Sequence, residues 1–477
     1  MDIHLTNTLS RKKELFKPIK KGEVGIYQCG PTVYWTQHIG NMRAVVMTDI
    51  FHRTFKYLDH EVNFVRNITD VGHLTGDNLG DANTGVDRMD KTSKLENKSP
   101  KEIAEKYTKQ YLNDSKLLNA LPASKSPKAT EHISEIIKMV EELMDKGFAY
   151  PTPLAVYFDT SKAKDYTRLS GQKIEEQLKG TGHGNVYDSD RKNPNDFALW
   201  IFKTGDHKNA LQTWQSPFIS SNVENGEGFP GWHIECSAMS KKYLGDTFDI
   251  HVGGIEHIPV HHTNEIAQSE NANGKDFVHY WLHYEHLLVD GKKMAKSEGT
   301  AYNLSEVIDK GFTPMDLRYF FLQAHYKSKQ NFTWEALKSS RTAQDRLVTS
   351  LSEISDNGEI DESLKSELTK MVSDDFNTPQ ALAQIWEALK SDTYKKEDVR
   401  ATILDFDKIL GLNLKEQIDN LESKTSDIPE EITRLSNERE NERRNGNYAE
   451  ADLIREKIEE LGFIITDKDG ETVITRK

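Results

Sequence analysis

Cysteine is nearly missing from this chain: there are two in 477 residues, Cys29 and Cys236, far apart in sequence. A disulfide scaffold is thereby excluded, and a reducing compartment, the cytoplasm, is the expected location. Long hydrophobic runs are also missing. No segment approaches the ~20 apolar residues needed to span a bilayer. The opening stretch MDIHLTNTLSRKKELF lacks the apolar core of a secretory signal, so no membrane partner is expected. Nor is there an excess of base: 62 Lys and Arg against 76 Asp and Glu leave a formal charge of −14. That argues against coating nucleic acid by bulk charge, although a local basic patch would still suffice for a specific RNA. With 36% hydrophobic and 29% charged residues, the chain is neither collagen-like, low-complexity nor wholly disordered. No solenoid period is visible. At roughly 100–200 residues per domain, the length implies two to four domains.

What is present reads first as α/β. Residues 24–29 (VGIYQC) form a buried-strand candidate, with a turn at Gly30-Pro31. A helical pattern follows over 42–58, then a strand over 62–65, the order of a βαβ unit with parallel pairing. Residues 76–85 are loop-like by their Gly, Asn and Asp content. Amphipathic helices are predicted over 100–119 and 131–147. A second α/β segment runs from a strand at FDIHVGG through a helix near 263–271 to a strand at 286–290. After about residue 315 strands largely stop, and helices are predicted over 334–354, 362–372, 379–389 and 398–410. Residues 414–430 are polar and charged and read as a linker. A final module over 431–477 offers a helix pair and a strand-like end.

Three constellations carry chemistry. In the first, Cys29-Gly30-Pro31-Thr32-Val33-Tyr34 is followed by His38-Ile39-Gly40-Asn41, where a strand end gives way to a helix N-terminus. Backbone N–H groups and the helix dipole converge at such a junction and suit a phosphate. Gly40 would let a nucleotide approach the backbone, and His38 could donate to a phosphate oxygen. The second is Gly291-Lys292-Lys293-Met294-Ala295-Lys296-Ser297, just after a predicted strand. Lys293 and Lys296 could neutralise the charge of a departing pyrophosphate; alone, the loop would read as solvated and basic. The third gathers Cys29, Cys236, His261 and Glu265, the last two four apart on one face of a predicted helix. Two thiolates, an imidazole and a carboxylate make a plausible tetrahedral zinc site. Spacing alone equally admits a buried apolar cysteine pair with a satisfied histidine.

HIGN and KMAKS, in this order and on these elements, resemble the HIGH and KMSKS signatures of class I aminoacyl-tRNA synthetases. The strings CGPTVY, RKNPNDFALW, GWHIECSAM, HHTNEIAQSE, HYKS and DDFNTP further resemble the cysteinyl-tRNA synthetase family, nearly from end to end. The resemblance implies a Rossmann-type parallel-sheet catalytic domain, followed by an all-α C-terminal half with a small anticodon-binding module. It implies one zinc ion per chain on Cys29, Cys236, His261 and Glu265. It further implies ATP with magnesium as substrate, cysteine and tRNA(Cys) as the other partners, and a monomer. Catalysis would rest on His38, Lys293 and Lys296. ATP would be bound by these with Gly40, Asn41, Gly253, Gly254 and Ser297. Cys29, Thr69 and Trp232 would line the cysteine pocket.

Some of these residues have plainer readings. Trp232 is equally a core tryptophan, and Gly253-Gly254 also suits a strand-to-helix turn. His251, His257 and His262 are given no catalytic role. The domain expectation is a catalytic domain with zinc site and connective insertion over 1–305, a stem-contact-like region over 306–340, a helical bundle over 341–414, a linker over 415–430 and the anticodon module over 431–477. Arg439, Arg443, Arg444, Arg455 and Lys457 of that module are side chains suited to RNA.

The chain departs from the family pattern in places. HIGN and KMAKS replace HIGH and KMSKS, and both lysines remain. NITD is followed by a glycine-rich insertion rather than by further aspartates and a lysine. Phe229 stands where arginine is common, and the end GETVITRK lacks the usual tryptophan. Two other functions compete: a cysteine–amino-sugar ligase of the same superfamily, which would lack the tRNA-reading C-terminal half, and a catalytically silent RNA-binding paralogue, which would have lost the lysines or the metal donors.

Overall fold

A computed structural model describes residues 1–72, 87–172, 188–294, 299–426, 429–468 and 471–476. Its centre is a sheet of four parallel strands. In chain order the elements are β1 (Glu23–Gln28), α1 (Ile39–Tyr57), β2 (Glu61–Arg66), α2 (Trp232–Leu244), β3 (Phe248–Gly254), α3 (His261–Asn273) and β4 (Val278–Tyr284). The strand order is β4-β3-β1-β2. Tyr27 of β1 thus lies between Val65 of β2 and His251 of β3. All seven residues of β3 are buried, as expected for an inner strand covered by helices on both faces. The chain winds outward in opposite directions from β1 and β3, so a crevice opens beyond their C-terminal ends.

β1, α1, β2 and β3 fall where periodicity placed them. The strand after α3 does not: the sheet is completed by β4, and Leu287–Val289 belongs to a separate three-stranded sheet with Lys292–Lys293 and Gln330–Phe332. β4 reads VHYWLHY, and its polar letters hide a buried run. His283 tolerates burial because its ring bonds both His262 Nδ1 (2.7 Å) and Thr8 Oγ1 (2.8 Å).

Between β2 and α2 the chain inserts helices Arg88–Glu96, Pro100–Leu117 and Ile133–Asp145 and an antiparallel sheet of Ala149–Pro151, Ala155–Phe158, Phe197–Phe202 and Gly228–Pro230. Within RKNPNDFALW, the buried Asp196 carboxylate accepts from Tyr150 Oη (2.7 Å) and from the Thr160 amide and hydroxyl (both 2.8 Å). Phe229 is buried against Tyr150, Ala155, Tyr157, Ala198 and Ile201. An apolar side chain at this position therefore serves packing.

The chain forms two compact units. One comprises residues 1–341, 366–385 and 408–411, the other residues 342–365, 386–407 and 412–477. In the first, the buried Asp49 carboxylate is shared by Arg53 (2.7 Å) and Arg318 (2.6 Å). Arg318 also donates to the carbonyls of Leu410 and Leu118. HYKS and DDFNTP meet here: Asp375 accepts from the Thr6 amide (2.8 Å) and Tyr326 Oη (2.7 Å), and its carbonyl bonds His325 Nε2 (2.7 Å). These bonds hold Asp375 and Phe376 at φ of 62° and 56°, a left-handed conformation that non-glycine residues seldom adopt. Phe376 then packs on Phe51 with centroids 4.2 Å apart.

The expected C-terminal helices are present as Trp334–Ser352, Glu362–Ser373, Thr378–Lys390 and Lys396–Leu410. In the second unit the stretch read as a linker is instead a helix over Leu414–Ser426. Its stripe is narrow, with Leu414 and Ile418 fully buried, and the Asp407 carboxylate accepts from the amides of Leu412 and Leu414 at its start. Two apolar residues four apart sufficed where average polarity suggested otherwise.

The last module packs helices Glu430–Arg444 and Tyr448–Glu460 on a hairpin of Phe463–Lys468 and Glu471–Arg476, around Ile432, Leu435, Ile458, Phe463 and Ile465. The C-terminal half is thus helical with one terminal hairpin. Arg439, expected to face RNA, is 4% exposed and makes a bidentate pair with Asp467 (2.9 and 2.6 Å). Arg443 pairs with the same carboxylate.

Candidate active site and metal centre

The loop after β1 is drawn tightly to the end of β2. Gly30 donates its N–H to Asn67 Oδ1 (2.8 Å), and a Cβ at Gly30 would sit 1.6 Å from the Asn67 carbonyl oxygen. Only glycine allows that approach. The chain then reaches α1, whose N-cap is His38. His38 Nδ1 accepts from the Asn41 amide (3.3 Å), and Asn41 Oδ1 accepts from the His38 amide (3.2 Å). The asparagine of HIGN therefore closes a reciprocal cap. With Nδ1 an acceptor, the proton of the neutral imidazole is assigned to Nε2, which is thereby a donor.

Arg43 anchors α1. Its buried guanidinium donates to the carbonyls of Glu285, His325 (3.2 Å) and Ser328 (2.9 Å). Burial pulls its pKa down to about 10, so it remains charged at neutral pH. The lysine loop comes up to the same turn: a Cβ at Gly40 would lie 2.3 Å from the Met294 methyl and 3.0 Å from the His38 ring. HIGN and the first part of KMAKS are thus in contact. Lys293 is exposed on the cavity wall, while Lys296 and Ser297 lie outside the described residues.

Cys29 stands at the end of β1, Cys236 one turn into α2, and His261 and Glu265 in the first turns of α3. Their donor atoms all lie within 4.8 Å of one another. Cys29 Sγ is 3.8 Å from Cys236 Sγ and 3.5 Å from Glu265 Oε1, which lies 3.0 Å from His261 Nε2. That buried imidazole nitrogen makes no hydrogen bond, despite the short distance. A buried nitrogen with no hydrogen-bond partner among the described residues, beside two thiols and a carboxylate, completes the donor set of a tetrahedral metal site, so the residues fit zinc.

Outer partners orient the donors. Glu265 Oε2 bonds His251 Nε2 (2.9 Å), and His261 Nδ1 faces His233 Nδ1 (2.8 Å). A second set, Cys29, His251, His262 and Glu265, overlaps the first; His262 Nε2 is 3.4 Å from Cys29 Sγ. Sequence reasoning left His251 and His262 without a role, and only the adjacent histidines of HHTNE hinted at one.

Electrostatics within the cluster are polarised. Burial pushes the Cys29 thiol well up, whereas its hydrogen bond to Cys236 brings that thiol down to about 7. For Glu265 burial favours the neutral acid, but His251 and His261 outweigh it and hold the carboxyl well below its usual range.

Trp232 stacks on the His261 ring at 4.2 Å and 29° and forms part of the cavity wall. Thr69 is 2% exposed; its hydroxyl donates to Glu235 Oε2 (3.2 Å) and accepts from Asn67 Nδ2 (3.0 Å). Asn67, which sequence reasoning missed, thus ties Gly30 to Thr69. Burial, then the nearby Asp70, pushes the Glu235 carboxyl well up.

These groups surround one cavity of about 490 Å³. Cys29, Thr69, Trp232, Cys236 and His261 wall one part, and His38, Gly40, Asn41, Lys293 and Met294 another. Glu265 lies fully buried behind the thiols. Gly253 and Gly254 are not on the wall; Cβ atoms there would meet the His262 ring (2.4 Å) and the Glu256 carboxylate (2.3 Å), and Glu256 itself faces the cavity. Tyr34, Trp35 and Arg88 also line it, although no motif singled out Trp35 or Arg88.

A family model described as tRNA synthetases class I (C) catalytic domain matches residues 15–342. A cysteine–tRNA ligase of Treponema denticola is 40% identical over an alignment 501 positions long, covering 99% of each chain. One from Thermus thermophilus is 38% identical over 496, covering 98% of each. Among solved structures, methionyl-tRNA synthetase of Mycobacterium tuberculosis in complex with methionyl-adenylate aligns with a TM-score of 0.57 at 12% identity. The alignment covers 83% of this chain and 91% of that one; at that identity the likeness is one of fold.

Proposed function

The chain belongs to the cysteine–tRNA ligase family of class I aminoacyl-tRNA synthetases, and on that premise we propose how its residues divide the work. The enzyme activates cysteine with ATP and transfers the cysteinyl group to tRNA(Cys). In the first step the cysteine carboxylate attacks the α-phosphorus of ATP, the bond to the β-phosphate breaks, and magnesium pyrophosphate departs. In the second a hydroxyl of the tRNA's terminal ribose, the 2′ by resemblance to the family, attacks the cysteinyl carbonyl and AMP leaves.

Neither step needs a covalent enzyme intermediate, so rate comes from positioning and from charge stabilisation. The N-terminus of α1 and the Nε2–H of His38 hold the phosphates, with Gly40 and Asn41 shaping the turn. Lys293 and Lys296 balance the charge that grows on pyrophosphate, with Ser297 beside them. Gly254 acts in this reading by letting Glu256 reach the cavity, and Gly253 by leaving room for the His262 ring behind it. Thr69 and Trp232 wall the cysteine pocket.

Zinc would be held by Cys29, Cys236, His261 and Glu265, and when bound it supplies a preference for a thiolate over a hydroxyl ligand. Serine differs from cysteine by one atom, and packing alone yields only about 10–200-fold discrimination per methylene. The convergence of these four donors, three of them on the wall of the cavity that also holds His38 and Lys293, carries the reading.

We assign stem contact to residues 306–340, the bundle to 341–414 and anticodon reading to 431–477. The family's role in translation supports a cytoplasmic location. The relatives match this chain over nearly its full length, so an amino-sugar ligase without the C-terminal half is not favoured.

The test is ATP–pyrophosphate exchange with each amino acid in turn, alongside elemental analysis. Cysteine alone should support exchange, with one zinc per chain, and Cys236→Ser should lose metal and exchange together. Active wild-type protein without zinc, or serine as good a substrate as cysteine, would overturn the assignment.

A further inference from the structure

Three of the four proposed metal donors have an outer partner that suits them as ligands. Glu265 has the His251 ring, His261 has the His233 ring, and Cys29 has the His262 ring. Cys236 is different. Its sulfur lies 3.8 Å from Asn67 Oδ1 and 3.8 Å from the Cys29 sulfur. Asn67 Oδ1 also accepts from the Gly30 amide (2.8 Å), and Asn67 Nδ2 donates to Thr69 Oγ1 (3.0 Å), so the side-chain amide is held this way round. An acceptor suits a thiol and repels a thiolate. The contact with Cys29 fails as well, because binding a metal takes the protons of both sulfurs. As a ligand, Cys236 needs a hydrogen-bond donor that neither neighbour supplies.

The core beneath it holds a donor that lacks an acceptor. Tyr27 is fully buried, and its hydroxyl completes no hydrogen bond among the described residues. A buried orphan hydroxyl carries a desolvation cost that phenylalanine in the same space would not. The pleat of β1 sets where this hydroxyl lies. The Cys29 amide still bonds the Val252 carbonyl (3.3 Å), so the alternation runs on through Cys29 and puts Tyr27 on the same face. His251 stands opposite Tyr27 in register, with the two rings edge to face at 5.2 Å. Helix α2 packs on β1, and Tyr27, Cys236 and Met239 share one buried cluster. Burial first, and then the sulfur of Cys236, hold the phenol well above its usual range, so the hydroxyl keeps its proton.

An orphan donor and a sulfur that will need one thus occupy the same floor of the metal centre. We propose that the Tyr27 hydroxyl donates a hydrogen bond to the Cys236 sulfur when that sulfur is a metal-bound thiolate. Tyr27 is then a positioning residue, acting through Cys236 rather than on substrate. The bond draws charge from one of two thiolates crowded with a carboxylate, which favours a loaded site. The proposal rests on the zinc reading above and extends it to a residue outside the four donors.

Tyr27→Phe removes the donor and keeps the ring. Zinc affinity of the full-length protein is read by competition with a chromophoric chelator, and thermal unfolding is followed with and without zinc. The variant should bind zinc about tenfold more weakly. Without zinc it should be at least as stable as wild type, since the orphan hydroxyl is gone. A merely structural tyrosine would lower stability equally in both states, and that result would overturn the proposal. With Co²⁺ in place of zinc, the sulfur-to-cobalt charge-transfer band should move to longer wavelength in Tyr27→Phe, because a sulfur that loses a hydrogen bond holds its electrons less tightly. Unchanged zinc affinity or an unshifted band would also overturn it. Wild-type protein that binds no zinc would instead defeat the metal reading itself.

Discussion

Gly40→Ala separates stability from catalysis in this fold. The added methyl carbon would lie 2.3 Å from the Met294 methyl and 3.0 Å from the His38 ring. Carbon atoms rest at about 3.5–4.0 Å, so Met294 must retreat by roughly 1.3 Å and the imidazole by about half that. The methionine tip is flexible and half-exposed, and it can move at little cost to folding. Alanine also favours the helix by up to about 1 kcal/mol over glycine, less in the first turn. The melting temperature should therefore hold or rise by about 1 °C. Activation should suffer, because the methyl wedges the lysine loop away from the turn that holds phosphate. A displacement near 1 Å at a reacting centre costs on the order of 10²-fold. The assay is single-turnover formation of cysteinyl-adenylate, with thermal unfolding of the same samples. The loss should shrink in a Met294→Ala background, since the clash partner is then gone. Wild-type activation by Gly40→Ala, or a melting temperature lowered by many degrees, would refute the reasoning.

Two further outcomes are expected. Lys296→Ala should slow adenylate formation by about 10²–10³-fold while cysteine affinity, read by equilibrium binding, changes little, because the ammonium meets charge that develops as pyrophosphate leaves. An unchanged activation rate would make KMAKS an ordinary basic loop. Removing residues 427–477, after the end of helix Leu414–Ser426, should leave cysteine-dependent exchange nearly intact, since every cavity residue is upstream. The KM for tRNA should rise by roughly tenfold or more, and charging at the wild-type KM would refute the anticodon assignment.

Local pattern determined much of this protein. Alternating and helical periodicities sufficed for β1, α1, β2 and β3 because each signal is contained within one element. The strand-to-helix junction placed HIGN at a helix N-terminus for the same reason. The resemblance of motif strings then supplied the family and the four proposed metal donors. Only the tertiary structure decided what depends on segments distant in sequence. It set the Cys29 and Cys236 thiols 3.8 Å apart and put the Glu265 carboxylate against His251, where spacing had left a plain cysteine pair equally open. It brought Asp375 of DDFNTP onto Thr6 and Tyr326, giving those strings a structural role. The helix over Leu414–Ser426 escaped because its apolar residues are too few among polar ones, and the fourth sheet strand because two histidines interrupt its apolar run. Burial was secured by partners elsewhere in the chain: His262 and Thr8 for His283, and Asp407 for the helix start. Arg439 looked free for RNA because its partner, Asp467, is 28 residues away. Periodicity reports which face of an element is buried; it carries no information on what that face meets, and the site is made of those meetings.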